Sequence, residues 1–116
     1  MRRVHGLEQA RDALTQGARD LCSPPFAACH AGVHYYRAML DQLHHEFPDV
    51  DFTFALCCGD DAAIAHDALR MGFTHVHCDC GQGQFAQLQA IAKTCGATVL
   101  MPRNALDPAT DAAKPM

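Results

Sequence analysis

This sequence has no long apolar run, no concentration of basic residues and no Cys-x-x-Cys pair, and each absence narrows what the chain can be. A membrane-spanning helix needs about 20 apolar residues in succession, and no stretch of that kind is present. The start, Met1-Arg2-Arg3-Val4-His5, turns polar and helical where an export signal requires an apolar segment. The expectation is a cytoplasmic protein with no membrane partner. Nine Lys and Arg residues stand singly or in the pair Arg2-Arg3 against 13 Asp and Glu, for a net charge of −4. Such a chain offers no stripe for a phosphate backbone, which argues against nucleic acid as a partner. Seven cysteines, an odd number, argue against a disulfide framework in a reducing compartment. The missing Cys-x-x-Cys removes the spacings of zinc ribbons and of dithiol redox pairs.

What remains is an ordinary globular composition over 116 residues, with 49% hydrophobic and 19% charged side chains, enough for one domain and one modest core. Leu7, Ala10 and Leu14 are spaced for a first helix that Gly17 ends. Residues 18–22 form a short strand that must stop at Ser23-Pro24-Pro25 because proline cannot donate to a ladder. Arg19 and Asp20 make that strand polar, hence weak or at an edge. Val33, Tyr36, Leu40, Leu43 and Phe47 draw one apolar stripe along a helix that Pro48 closes. Phe52 to Cys57 reads as a buried strand, and Asp60 or Asp61 as the cap of a helix carrying Ile64, Ala65, Ala68 and Leu69. Phe73 to Cys78 repeats the strand. Gly81-Gln82-Gly83 is a turn before a helix with Phe85, Leu88, Ile91 and Cys95, and Ala97 to Met101 is the last strand. The domain then covers residues 1–103, and 104–116 read as a flexible tail of Pro, Ala, Asp and Thr.

This order predicts an α/β fold with a small parallel sheet of about four strands joined by βαβ crossovers, either a flavodoxin-like open sheet or part of a (β/α) barrel. So small a sheet leaves surface to cover, and self-association into a homo-oligomer is expected. Two strand-turn-helix units are near repeats: Phe52-Thr53-Phe54-Ala55-Leu56-Cys57-Cys58-Gly59-Asp60 is followed 21 residues on by Phe73-Thr74-His75-Val76-His77-Cys78-Asp79-Cys80-Gly81. In a parallel sheet the carboxyl ends of the strands share one edge, so these thiols and carboxylates are expected to gather there.

Ser23-Pro24-Pro25, Ala31-Gly32 followed by Tyr35-Tyr36, Pro48-Asp49-Val50, Cys58-Gly59-Asp60, Ala68-Leu69-Arg70-x-Gly72 and Gly96-Ala97 resemble a group of small uncharacterised α/β proteins of alphaproteobacteria, over residues 22–103. The resemblance implies the fold and the compartment and carries no activity. The chain departs from that group at Cys57, where the strand-end loop of the group has Asp.

Four kinds of chemistry fit these residues. Cys57, Cys58, Cys78, Cys80, His75 and His77 are ligand types that Zn²⁺ or Cu⁺ prefers, with Cys29 and His30 in a third loop. His75 and His77 share one side of their strand while Cys78 takes the other, so one strand cannot aim all of them at one ion. Cys58 or Cys80, just before a helix amino terminus, could carry a lowered pKa, with His30 or His34 as base. Gly59-Asp60-Asp61 and Gly81-Gln82-Gly83 precede helix starts that suit an anion, although the second lacks the Walker lysine and the full dinucleotide fingerprint. Asp60 and Asp79 could act as an acid-base pair or bind Mg²⁺. Against each stands a plainer reading, in which thiols fill the core and Asp60 caps a helix. No catalytic constellation is complete. The expected function is therefore a non-catalytic small-ligand or interaction module with Ser23, His30, Cys58, Gly59, Asp60, Asp79, Cys80 and Gly81 at its site. The alternative is a metal-binding or thiol-dependent small enzyme, with zinc as the possible cofactor.

Overall fold

The alternation of short apolar runs with helical stripes becomes, in a computed structural model that describes residues 1–100, the series β1 (Arg2–Arg3), α1 (Leu7–Thr15), β2 (Asp20–Cys22), α2 (Ala27–Ala31), α3 (Val33–Glu46), β3 (Thr53–Cys57), α4 (Ala62–Arg70), β4 (His75–His77), α5 (Gln82–Cys95) and β5 (Thr98–Leu100). The five strands form one sheet in the order β1-β2-β3-β4-β5, and every pair is parallel. The fold is thus α/β with an open parallel sheet and helices between the strands. The tail expected over residues 104–116 and the end of the expected domain lie outside the described residues.

Sequential order fixes the layering. Crossovers between parallel neighbours run right-handed, and when each new strand is added on the same side, each helix comes down on the same face. The helices accordingly lie side by side, α1 against α3, α3 against α4 and α4 against α5. Leu21, Phe54, Leu56, Val76 and Val99 meet them from the sheet in a single core with Ala13, Leu14, Tyr36, Leu40, Leu43, Ala65, Leu69, Phe73 and Leu88. Residues two apart along a strand share a face. The register therefore places Cys22, Ala55 and His75 in one row across the opposite face, and Cys57, His77 and Leu100 in the next. Cys22, Ala55 and Cys57 form a second, smaller buried cluster there.

Three features differ from the expectation. A fifth strand, β1, has two exposed arginines and shows no apolar alternation; only Val4, directly after it, is buried. The polar strand β2 lies between β1 and β3 and not at an edge. Its polar end is accommodated because Asp20 is exposed and its carboxylate accepts from the Thr53 hydroxyl at 2.7 Å, while Leu21 and Cys22 are buried. The third feature is α2, a short helix within the segment expected to be a loop. The long α3 stripe behaves as expected, burying Val33, Tyr36, Leu40 and Leu43, with Met39 added and Phe47 packed against the core.

Two polar contacts fasten this helix layer. Arg11 of α1 donates from Nε and Nη2 to the two oxygens of Glu46 at the end of α3, both at 2.6 Å. The guanidinium, helped by a hydrogen bond from Gln42, holds the Glu46 carboxyl down at about 2. Asp61 caps α4, its carboxylate accepting from the Ile64 N–H at 3.1 Å, whereas Asp60 is exposed.

Asp61→Ala is therefore expected to cost about 0.5–2 kcal/mol of stability and Asp60→Ala almost nothing, as read by urea denaturation. The Glu46 carboxyl titrates lower when folded than unfolded, so its contribution is complete above the ordinary carboxylate range and is lost as pH falls toward about 2. Stability of Glu46→Gln should fall less steeply than that of the wild type across that window; equal slopes would remove Glu46 from the acid response.

Candidate functional site

The carboxyl ends of β2, β3 and β4 do converge, held together by backbone hydrogen bonds and by the Ser23 hydroxyl. Ser23 leaves β2 with its N–H donating to Ala55 O at 3.0 Å. Its hydroxyl accepts from the Cys57 N–H at 2.8 Å and donates to Pro24 O at 3.1 Å. The side chain is fully buried, so Ser23 positions the end of β3 and does not face a ligand. The next two exits are linked in the same way, by Cys58 N–H to His77 O and Asp79 N–H to Gly59 O, both 2.8 Å, and by Cys78 N–H to Leu100 O at 2.9 Å.

The conformation of the rim is set by a contact between Phe26 and Gly59. Phe26 begins α2 in the left-handed region, at φ 60° and ψ 19°, and is the only residue other than glycine at positive φ among those described. Its N–H donates to the Cys57 sulfur at 3.3 Å. Its ring lies on Gly59, itself at φ 63°, so closely that a Cβ there would come within 2.3 Å of the ring. Glycine is required at 59 on both counts. Although it covers Gly59, Phe26 remains 45% exposed.

Around this contact the expected site residues separate into three groups. Cys58 and Cys78 point into the helix-side core and are buried. Burial pushes both thiols well up, which corrects the expectation that a helix amino terminus would lower the pKa of Cys58: desolvation outweighs the helix end. Cys57 and His77 are buried on the opposite face, with His75 half-buried beside them and its Nδ1 2.9 Å from the Thr74 hydroxyl. Cys80 is half-buried at the rim, and His30, Asp60, Asp79 and Gly81 are exposed there with Cys29, whose thiol donates to Cys58 O at 3.3 Å. Among the described residues no three His, Cys, Asp or Glu side chains come together around a metal position. The six expected ligands Cys57, Cys58, Cys78, Cys80, His75 and His77 are divided by the sheet, so a zinc centre drawing on all of them is not formed. His34, the other expected base, is exposed and borders a groove of about 440 Å³ between α3 and α4 with Val33, Asp67, Arg70 and Met71.

The residue that sequence reasoning missed is Phe26. A signal was available: an aromatic side chain directly after Ser-Pro-Pro stands where a loop offers no apolar periodicity to bury it, and a strand-end Gly lies opposite. Doubly wound sheets form a crevice where strand order reverses. This sheet has no reversal, and its rim is accordingly a surface built on an aromatic ridge. No known protein family matches the chain, nor does any curated protein or solved structure.

Gly59→Ala is expected to destabilise the protein by about 1–3 kcal/mol, from left-handed strain and displacement of the ring. The Phe26→Ala background should relieve the second part only, giving a coupling of about 0.5–3 kcal/mol in a double-mutant cycle. A Gly59→Ala cost unchanged by Phe26→Ala would show that the ring does not exclude the Cβ.

Proposed function

We propose that the chain is a non-catalytic small-ligand or interaction module whose binding surface is the rim at the carboxyl ends of the strands, anchored on Phe26. The observation that carries this reading is the state of that one side chain. Left-handed backbone costs a residue such as Phe about 1–2 kcal/mol, and such strain persists where the surroundings over-determine it, most often at binding sites. Here the Cys57 sulfur and the Cβ-free surface of Gly59 fix the residue, yet nearly half of it is left to solvent. A rigid aromatic group rimmed by polar side chains is the usual centre of an interface hot spot. His30, Asp60, Asp79 and Cys80 supply polar contacts around it, and the free N–H groups at the start of α5, beside Gly81, supply donors. A reducing, cytoplasmic setting belongs to the same proposal and is supported by seven cysteines, all of them free.

The test is a small-molecule fragment screen read by protein amide shifts. Hits are expected to move the amides of Phe26, Cys29, Gly59, Asp79 and Gly81, and Phe26→Ala to weaken them by about tenfold or more while the thermal midpoint stays within a few degrees. Shifts confined to the groove of His34, Asp67 and Arg70, or affinities untouched by Phe26→Ala, would overturn it.

A further inference from the structure

Of the buried polar side chains only Ser23 and His77 are fully enclosed among the described residues, and Ser23 is satisfied. His77 is not: neither Nδ1 nor Nε2 has a hydrogen-bond partner. Each unpartnered buried polar atom costs about 1–3 kcal/mol, so a ring with two of them calls for an explanation. Its register partner across β3 and β4, on the same face away from the described helices, is Cys57. That thiol is also buried, and its sulfur accepts the Phe26 N–H at 3.3 Å. Neighbouring strands lie about 4.8 Å apart, so register partners on one face stand side by side.

We propose that Cys57 and His77 form a two-coordinate site for a soft monovalent cation of the Cu(I) type. The choice of ion follows from ligand number, softness and charge. Zn²⁺ takes four ligands, and no third His, Cys, Asp or Glu joins this pair among the described residues. A closed-shell monovalent ion is content with two and prefers thiolate and imidazole. Binding forms one metal–sulfur and one metal–nitrogen bond and breaks the S–H bond of Cys57, whose proton leaves to solvent. A +1 ion thus replaces a proton, and the buried site stays neutral. A divalent ion would leave an uncompensated positive charge there, which burial penalises heavily. The imidazole is prepared for this role, because burial and then the neighbouring His75 push its pKa down to about 4, leaving the ring neutral with a lone pair free.

The test is anaerobic titration of the reduced full chain with Cu(I) against a chromogenic chelator, with Ag(I) as the air-stable probe. One equivalent should bind tightly with release of one proton, and zinc should not displace it. Cys57→Ser and His77→Gln should each weaken it by more than about 100-fold, beyond the loss typical of an outer-shell partner. A tight equivalent that survives Cys57→Ser or His77→Gln, or no tight equivalent at all, overturns the proposal. Should either variant fail to fold, the wild-type His77 ring nitrogen signals decide: they must move with the first equivalent of Ag(I), and signals that stay fixed overturn it. The rim reading stands or falls separately, since Phe26→Ala retains both proposed ligands.

Discussion

Sequential parallel pairing is the constraint on which the rest of this structure depends. Because each strand joins on the same side of the last, right-handed crossovers bring the helices to one face, and the two faces of the sheet acquire different chemistry. One face carries Leu21, Phe54, Leu56, Val76 and Val99 and forms the main core. The other carries Cys22, Ala55, Cys57, His75 and His77, small or polar residues that a core under helices would not select. The alternation along β3 and β4 is thus a record of which side each helix lies on. The same order removes the crevice that a reversal of strand order would create.

The rim shows how hydrogen bonds and one close packing contact can pin a short loop. Ser23 closes β2 onto β3 through the Cys57 amide, Phe26 closes α2 onto β3 through the Cys57 sulfur, and the Phe26 ring closes over Gly59. Each contact uses an atom of limited freedom: a buried hydroxyl, a backbone N–H at positive φ, a glycine without Cβ. The two prolines before Phe26 remove backbone donors that would otherwise compete. An exposed aromatic residue held by two of these contacts loses little conformational entropy when it meets a partner, which is the advantage of a preorganised anchor.

Most of the architecture was legible because it rests on periodicity. The stripe of Val33, Tyr36, Leu40 and Leu43, the repeated strands before Cys57 and Cys78, and the prolines at 24, 25 and 48 each specify an element through sterics or burial that one residue type imposes. What was not legible depends on pairing. Arg2 and Arg3 become a strand only because β2 presents a free edge to them, and nothing in their own side chains records it. The site was half legible for the same reason. That Cys57 and Cys58, or His77 and Cys78, must face apart follows from strand geometry alone. That Cys58 would be deep enough for desolvation to dominate depends on its place in the helix-side core, which its own sequence neighbourhood does not record. The importance of Phe26 depends on a left-handed backbone that propensity assigns to glycine or asparagine, not to phenylalanine.

The pairing of Cys57 with His77 is where local and global logic conflict most openly. Every neighbour of His77 in the row it shares is apolar or a thiol, and a residue such as Leu or Phe would serve packing there without leaving two ring nitrogens unpartnered. Structures whose parts otherwise agree across levels carry such conflicts mainly where function requires them. An imidazole kept neutral by burial, beside a thiol whose sulfur already accepts an N–H, is poorly arranged for stability and well arranged to exchange a proton for a soft cation. On the face away from the described helices, Cys57 packs with Cys22 and Ala55, residues too small to bring a polar group of their own to the imidazole.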